Sequence, residues 1–291
     1  MKYLNNWLIA SRPKTLLAAV VPVMVGSALA VYENNFTFIY SFVALLCSLL
    51  IQIGTNFSND LYDYLKGADT AQRKGPQRVL ASGIISIREM KAAVFITFAA
   101  AFLLGLYLVL AGGPVILVIG ILSIIAGLAY TAGPYPLAYN GLGDIFVFIF
   151  FGLIGTMGTY YLHSHEFTLL SFLISIPVGA LITNILVVNN FRDIEEDKAA
   201  RKYTLAVKLG RTFTRYQFIF SIILSFLVPL LLFSFYNLGI WIFLPYLTIP
   251  LAIKMINMLF TFDGKQLNKT LELAAKFSAI FGLLFSFGMI L

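Results

Sequence analysis

Two short stretches of this sequence have the residue types and the spacing to hold a divalent cation. In the first, Asn56, Asp60 and Asp63 are separated by four and three positions, so on a helix all three lie on one face. In the second, Asn189, Asp193 and Asp197 are each four apart and share a face in the same way. Two acidic faces brought together repel unless a cation lies between them. Oxygen ligands of this kind suit Mg²⁺, which usually takes one or two carboxylates and completes its shell with water and substrate phosphate. Basic residues accompany both stretches: Lys66, Arg73, Lys74 and Arg78 follow the first, and Arg192, Lys198, Arg201 and Lys202 accompany the second. Acid beside base is the combination that a metal-diphosphate requires, carboxylates for the metal and guanidinium or ammonium groups for the phosphate oxygens. A blander account is that the bases merely orient the chain in a membrane, and for the arginines alone that account suffices. It does not extend to the acids, which contribute little to topology and are costly near membrane depth unless paired.

The elements that must position these residues are apolar helices. Of 291 residues 60% are hydrophobic and only 11% charged, against about 25% charged in soluble domains. A water-facing surface cannot be built from so few charges. Long apolar runs without strand-like alternation indicate helical spans rather than a barrel. Nine are expected: 15–32, 38–62, 90–111, 114–133, 141–162, 167–190, 215–236, 238–257 and 273–291. The chain is thus read as an all-α, polytopic membrane protein, one domain over 1–291, with nine transmembrane helices around a central cavity. The polar motif loops cover about 56–89 and 189–214. With the N-terminus inside, the outer connections 33–37, 112–113, 163–166 and the turn near Asn237 contain no Lys or Arg. The positive-inside rule therefore places the N-terminus and both acidic motifs on the cytoplasmic side. The net charge of +7 reads as topology and phosphate binding, with no nucleic-acid partner expected.

Three further features have ordinary readings. Cys47 lies in an apolar run and reads as a small buried hydrophobe. Lys2, the apolar stretch and Ala28-Leu29-Ala30 imitate a cleavable signal, but Arg12-Pro13-Lys14 and the many later spans favour a retained first helix. His163 and His165 fall on the outer side, away from the acids, and read as part of a solvated loop rather than a metal site. The repeated Asn-x-x-x-Asp pattern points to a weak internal repeat whose halves face each other across the cavity.

At these motifs the sequence resembles the UbiA superfamily of membrane prenyltransferases. The resemblance rests on Asn59-Asp60-Leu61-Tyr62-Asp63 after the second span and Asp193-Ile194-Glu195-Glu196-Asp197 after the sixth, and it covers nearly the whole chain. Within the family the chain is most similar to the menaquinone-pathway branch acting on 1,4-dihydroxy-2-naphthoate, through Arg12-Pro13-Lys14-Thr15-Leu16, Gly75-Pro76-Gln77-Arg78, Tyr130 to Leu137, and Lys202 to Val207. The 4-hydroxybenzoate branch has a Lys-Arg pair shortly after the Tyr-Pro of the fourth-to-fifth loop, whereas 131–140 here contains no basic residue. Arg201 stands where the branch shows Gly, and Asp144 where Glu is common.

The resemblance implies a multi-pass enzyme of the inner or plasma membrane with its site facing the cytoplasm. Its substrates would be a polyprenyl diphosphate and an aromatic acceptor, 1,4-dihydroxy-2-naphthoate, with two Mg²⁺ ions as cofactor. Asn56, Asp60 and Asp63 would hold one ion; Asn189, Asp193 and Asp197 would hold the other. Lys66, Arg73, Arg78, Lys202 and Arg192 are the expected diphosphate contacts. Lys14 or Arg12 is expected to meet the acceptor's carboxylate, with Tyr62, Tyr64, Tyr130 and Tyr135 lining the region where allylic positive charge develops. Other acceptors (homogentisate, haem, a chlorophyllide or a glycerol-phosphate lipid) remain alternatives within the family. A cation or lipid transporter is the alternative of another class; it would need acids at mid-membrane on a continuous polar path.

Overall fold

The computed structural model describes residues 2–68, 75, 78–236 and 238–291. Among them every regular element is helical. A short helix α1 (Lys2–Ser11) precedes α2 (Pro13–Tyr32), α3 (Phe38–Leu65) and α4 (Ile87–Ala129). The next span, Gly143–Ser164, is α5 (Gly143–Val147), a π-helical segment (Phe148–Met157) and α6 (Gly158–Ser164). Then come α7 (Leu169–Arg192), α8 (Ile194–Ala199) and α9 (Leu205–Tyr236). A 3-10 turn over Ile240–Thr248 leads into α10 (Ile249–Thr261), and α11 (Leu267–Ile290) ends the chain.

Eight helical stretches among the described residues are long and apolar enough to cross a membrane. The longest, α4, has 43 residues and contains the third expected span and most of the fourth. It is broken at Gly113, whose φ of 65° and ψ of −157° only glycine adopts without strain, and Pro114 follows at once. Start signals are equally local. Ser86 and Glu89 form a reciprocal capping box at the head of α4, and Thr168 with Ser171 caps α7. Large apolar side chains such as Phe95, Leu110, Phe220, Phe235 and Leu247 are exposed. A water-soluble surface does not tolerate that pattern, and it fits helices whose outer faces meet lipid: the chain is a multi-pass membrane protein.

The densest core lies where α2, α7, α9 and α11 meet, with Phe191, Phe218, Phe277, Phe281 and Phe285 fully buried. The π-helical segment closes on α7 through glycines. A Cβ on Gly152 would lie 2.6 Å from the Cα of Gly179, so the two backbones touch as small-residue membrane interfaces allow.

The residues before the first expected span form α1, which packs on α3 through Trp7 and Phe57, whose ring centroids are 5.4 Å apart. Three expectations need correction. The helix expected from 215 begins at Leu205, with its break at Gly210. The helix expected over 238–257 opens as a 3-10 turn containing Pro245. His163 is buried, not in a solvated loop: the Thr37 N–H donates to its Nδ1 at 3.1 Å and Ser41 Oγ lies 3.0 Å from its Nε2, tying α3 to α6.

Candidate active site

Each acidic motif sits at the end of a long helix, where the backbone turns from apolar span to polar loop. In the first, α3 carries Asn56, Asp60 and Asp63, all buried. Asn56 Nδ2 donates to the carbonyl of Ser11 and to Thr15 Oγ1 at 2.9 and 3.0 Å, so a metal would have to be met through Oδ1. Arg78 reaches back from the following loop to both acids, 3.4 Å from Asp60 Oδ1 and 3.2 Å from Asp63 Oδ2. The Leu80 N–H points at Asp60 Oδ2 from 3.4 Å. Lys66, at the C-terminal cap of α3, donates to the Thr131 carbonyl at 2.7 Å. Burial lowers its pKa and the Asp63 carboxylate works against that shift. Arg73 lies outside the described residues.

In the second motif, Arg192 is 1% exposed. Its Nε and Nη2 grip both oxygens of Asp193 at 2.7 and 2.6 Å. Its remaining donors reach Asn189 Oδ1 and Asn268 Oδ1 at 2.8 and 2.7 Å. Asp197, on α8, has Lys202 Nζ at 3.5 Å from Oδ1, while its Oδ2 is buried without a hydrogen-bond partner. Burial pushes the Asp197 carboxyl up to about 6, Lys202 opposes this, and the neighbouring charges of Asp193 and Asp63 reinforce it.

The lysines that follow the two motifs, Lys66 and Lys202, meet at one aromatic ring. The group that joins them lies in neither motif. Tyr139, in the loop between α4 and α5, donates its hydroxyl to Asp63 Oδ1 at 2.9 Å. Its ring centroid lies 4.5 Å from Lys66 Nζ and 5.7 Å from Lys202 Nζ. Thr131 is a second unforeseen participant: fully buried, it donates to Asn59 Oδ1 at 2.9 Å. No spacing rule marks either residue. The one available signal was their loop, which contains the turn residues Gly133 and Pro136 and closes against Asn59, Asp63 and Tyr203.

Beside this polar end lies an apolar cavity of about 210 Å³. Its walls come from α2, α3, both parts of α4 and the Gly143–Ser164 span, from Thr55, Gln52 and Tyr130 at the motif end to Leu108, Ile116 and Leu162 at the other. Along α3 it extends from Thr55 to Ala44, roughly 16 Å at 1.5 Å per residue. Of the four tyrosines expected here, only Tyr130 lines the cavity, within electrostatic reach of Asp63, Asp144, Asp197 and Arg12. Tyr62 packs instead against the cluster of Ala10, Phe57 and Leu61. Tyr64 and Tyr135 are exposed, 39% and 62%. On a helix the side chain at position 62 points away from those at 60 and 63, and Tyr135 is held outward between two prolines. Lys14 forms an exposed ion pair with Glu272 at 2.6 Å.

Among the described residues no group of three or more acid, His or Cys side chains is gathered as a ready-made metal cage. The carboxylates are paired with bases. The buried, unpartnered Oδ2 of Asp197 is nonetheless an acceptor-only oxygen of the kind a hard cation takes, and the motif acids fit such an ion once bases and cation share them.

Helical spans, paired acid–base helix ends and an apolar cavity beside them define a polytopic membrane protein with an ionic site at one end of its bundle. The family model for the UbiA prenyltransferase family matches residues 19–280, and the chain belongs to that family. It is 38% identical over 293 residues to the 1,4-dihydroxy-2-naphthoate octaprenyltransferase of Escherichia coli (strain K12), covering 98% of this chain and 95% of that one. It is 41% identical over 215 residues to the enzyme of that name from Haemophilus influenzae, covering 71% and 70%. The fold matches a UbiA homolog from Archaeoglobus fulgidus bound to DMAPP and Mg²⁺, with TM-score 0.69 and 19% identity over 98% of this chain and 99% of that one. The protein is a membrane prenyltransferase.

Proposed function

We propose that this enzyme transfers a polyprenyl group from its diphosphate to 1,4-dihydroxy-2-naphthoate, with loss of carbon dioxide, to give demethylmenaquinol in menaquinone biosynthesis. The observation that carries this reading is the meeting of two acidic motifs and two lysines at one end of an apolar cavity. Asn56, Asp60 and Asp63 would hold one Mg²⁺, and Asn189, Asp193 and Asp197 a second. Bound there, Mg²⁺ supplies positive charge against the diphosphate as the C–O bond breaks.

Lys66, Lys202 and Arg78 bind the diphosphate oxygens, while Arg192 orients Asp193 and Asn189. The tail lies in the apolar cavity. The allylic C–O bond breaks with its electron pair going to the diphosphate, and the Tyr130 face shields the positive carbon from water. The carboxyl-bearing ring carbon attacks it, Arg12 having held the acceptor's carboxylate. Carbon dioxide then leaves, and the electron pair of its bond restores the aromatic ring. The site faces the cytoplasm, and nine spans follow from dividing α4 at Gly113.

The test is an assay of purified protein in detergent with Mg²⁺, a polyprenyl diphosphate and dihydroxynaphthoate, following prenylated product and carbon dioxide. Product lost on EDTA treatment is expected. Product only with another aromatic acceptor would keep the transfer chemistry and reject the acceptor. The tail's route has its own check. Gly120 lines the cavity and a Cβ there would meet open space, so Gly120→Phe introduces bulk at the cavity wall from a point where the first side-chain carbon is accommodated. It is expected to slow long-chain donors about tenfold or more relative to dimethylallyl diphosphate; equal slowing of both would place the tail elsewhere.

A further inference from the structure

Tyr139 belongs to neither acidic motif, yet it touches the first and the turn that follows the second. Its hydroxyl donates to Asp63 of the first, and its carbonyl accepts the N–H of Tyr203, six residues beyond Asp197 of the second, at 2.9 Å. Lys66 follows the first motif and Lys202 the second, and the ammonium groups of both are drawn to its one ring. Two ammonium groups so placed repel each other. The electron-rich ring face offsets part of that repulsion, and Asp63 and Asp197 offset more. The loop is fixed on both sides: the Ala138 N–H donates to the Tyr130 carbonyl at 2.9 Å, and Lys208 Nζ to the Asn140 carbonyl at 2.7 Å. A lysine stem is otherwise flexible, so a shared ring is what gives these two charges a common direction.

We propose that Tyr139 is the positioning residue that sets Lys66 and Lys202 toward a single diphosphate and so couples the two acidic motifs. The inference rests on the metal-diphosphate reading above. The ring does the positioning, and the hydroxyl adds a donor to Asp63. A residue that merely stapled the loop would affect folding, and donor and acceptor alike; a shelf for the lysines affects the donor's head group alone.

The experiment uses the full chain in detergent, with Mg²⁺ and inorganic pyrophosphate as competitor and with both Michaelis constants measured. Tyr139→Leu is expected to raise the donor KM and the pyrophosphate inhibition constant by about tenfold, while the acceptor KM stays within about twofold. Tyr139→Phe retains the ring and is expected to keep the donor KM within about threefold of wild type. An unchanged donor KM in Tyr139→Leu, an equal rise in both constants, or a Phe variant as impaired as Leu would overturn the proposal. Where Tyr139→Leu does not fold, Lys66→Gln, Lys202→Gln and their combination carry the test. Coupling through one ring makes their effects on pyrophosphate inhibition non-additive by about threefold; additive effects overturn it. A wild-type enzyme that Mg²⁺-pyrophosphate does not inhibit would reject the underlying reading as well, whereas an inhibited wild type with an unaffected Tyr139→Leu rejects this inference alone.

Discussion

The two acidic motifs share a sequence pattern but not an arrangement. In the first, one base from a later loop serves both acids: Arg78 stands 3.4 Å from Asp60 and 3.2 Å from Asp63. In the second, the bases are divided. Arg192, adjacent in sequence, spends four hydrogen bonds on Asp193, Asn189 and Asn268, and Asp197 is left with a distant Lys202 and a bare oxygen. The loop-borne base, at long contact distances, can yield its acids to a cation and turn to a phosphate. The fully buried, bidentate base belongs to the scaffold. The shared Asn-x-x-x-Asp pattern therefore conceals a difference in arrangement that is set by where the bases come from.

The largest effects should come from removing the acids. Asp63→Ala and Asp197→Ala are each expected to lower kcat/KM about 100-fold or more. Activity within threefold of wild type for Asp197→Ala would make the second half a clamp around Asp193 only. Next is the contrast between the arginines. Arg192→Met leaves Asp193 buried and unpaired and is expected to cost about 3–5 kcal/mol of stability, read as thermal unfolding in detergent. Arg78→Met is expected to cost less than about 2 kcal/mol and to act mainly on the donor KM. Equal losses of stability would erase the distinction.

A smaller effect concerns protons. Asp197, pushed up to about 6 by burial, holds its proton more tightly folded than at its ordinary 3.8. By itself that favours the folded state at low pH, a contribution present below about pH 4 and lost as pH rises through 6. Cation binding has the opposite sign, since the ligand must lose the proton. The Mg²⁺ concentration for half-maximal rate is expected to rise as pH falls below 6, by up to about tenfold per pH unit; a flat requirement between pH 7.5 and 5.5 would remove Asp197 from the cation's ligands. The smallest effect is at Arg201, whose φ of 55° is left-handed in the turn that returns Lys202 to Asp197. Arg201→Gly is expected to stabilise the protein by about 1 kcal/mol in the same unfolding assay, and a loss there would reveal a contact made by the arginine side chain.

Arg201 also illustrates how much of the molecule was legible beforehand. The place where the family shows Gly is a place where the backbone asks for it. The spans, the break at Gly113 and the acids at helix ends follow from apolar run length, turn residues and helical period, all local in sequence. Tyr139 and Thr131 do not, because their roles arise from a loop folding onto helix ends 76 and 72 positions away. The tyrosines failed for a related reason. Composition shows that a loop is rich in aromatics, but only packing decides that Tyr130 faces the cavity while Tyr62 turns to α1. His163 was misplaced because topology puts a residue at the outer end of a helix without saying whether neighbours cover it.

The cavity described above takes its walls from α2 to α6, whereas the largest buried aromatic core lies among α2, α7, α9 and α11. Two elements serve both: α2 shows Pro22 and Val23 to the cavity and Val21 and Val25 to the core, and the Gly143–Ser164 span lines the cavity with Val147 and Phe151 while Tyr160 is buried in the core. Substitutions that reshape the cavity therefore leave most of that core untouched. If the donor tail lies there as proposed, its length preference is set by the smaller buried cluster of Val23, Ala44, Cys47, Leu108, Ile116 and Leu162, and redesign of the cavity loads that cluster rather than the aromatic core.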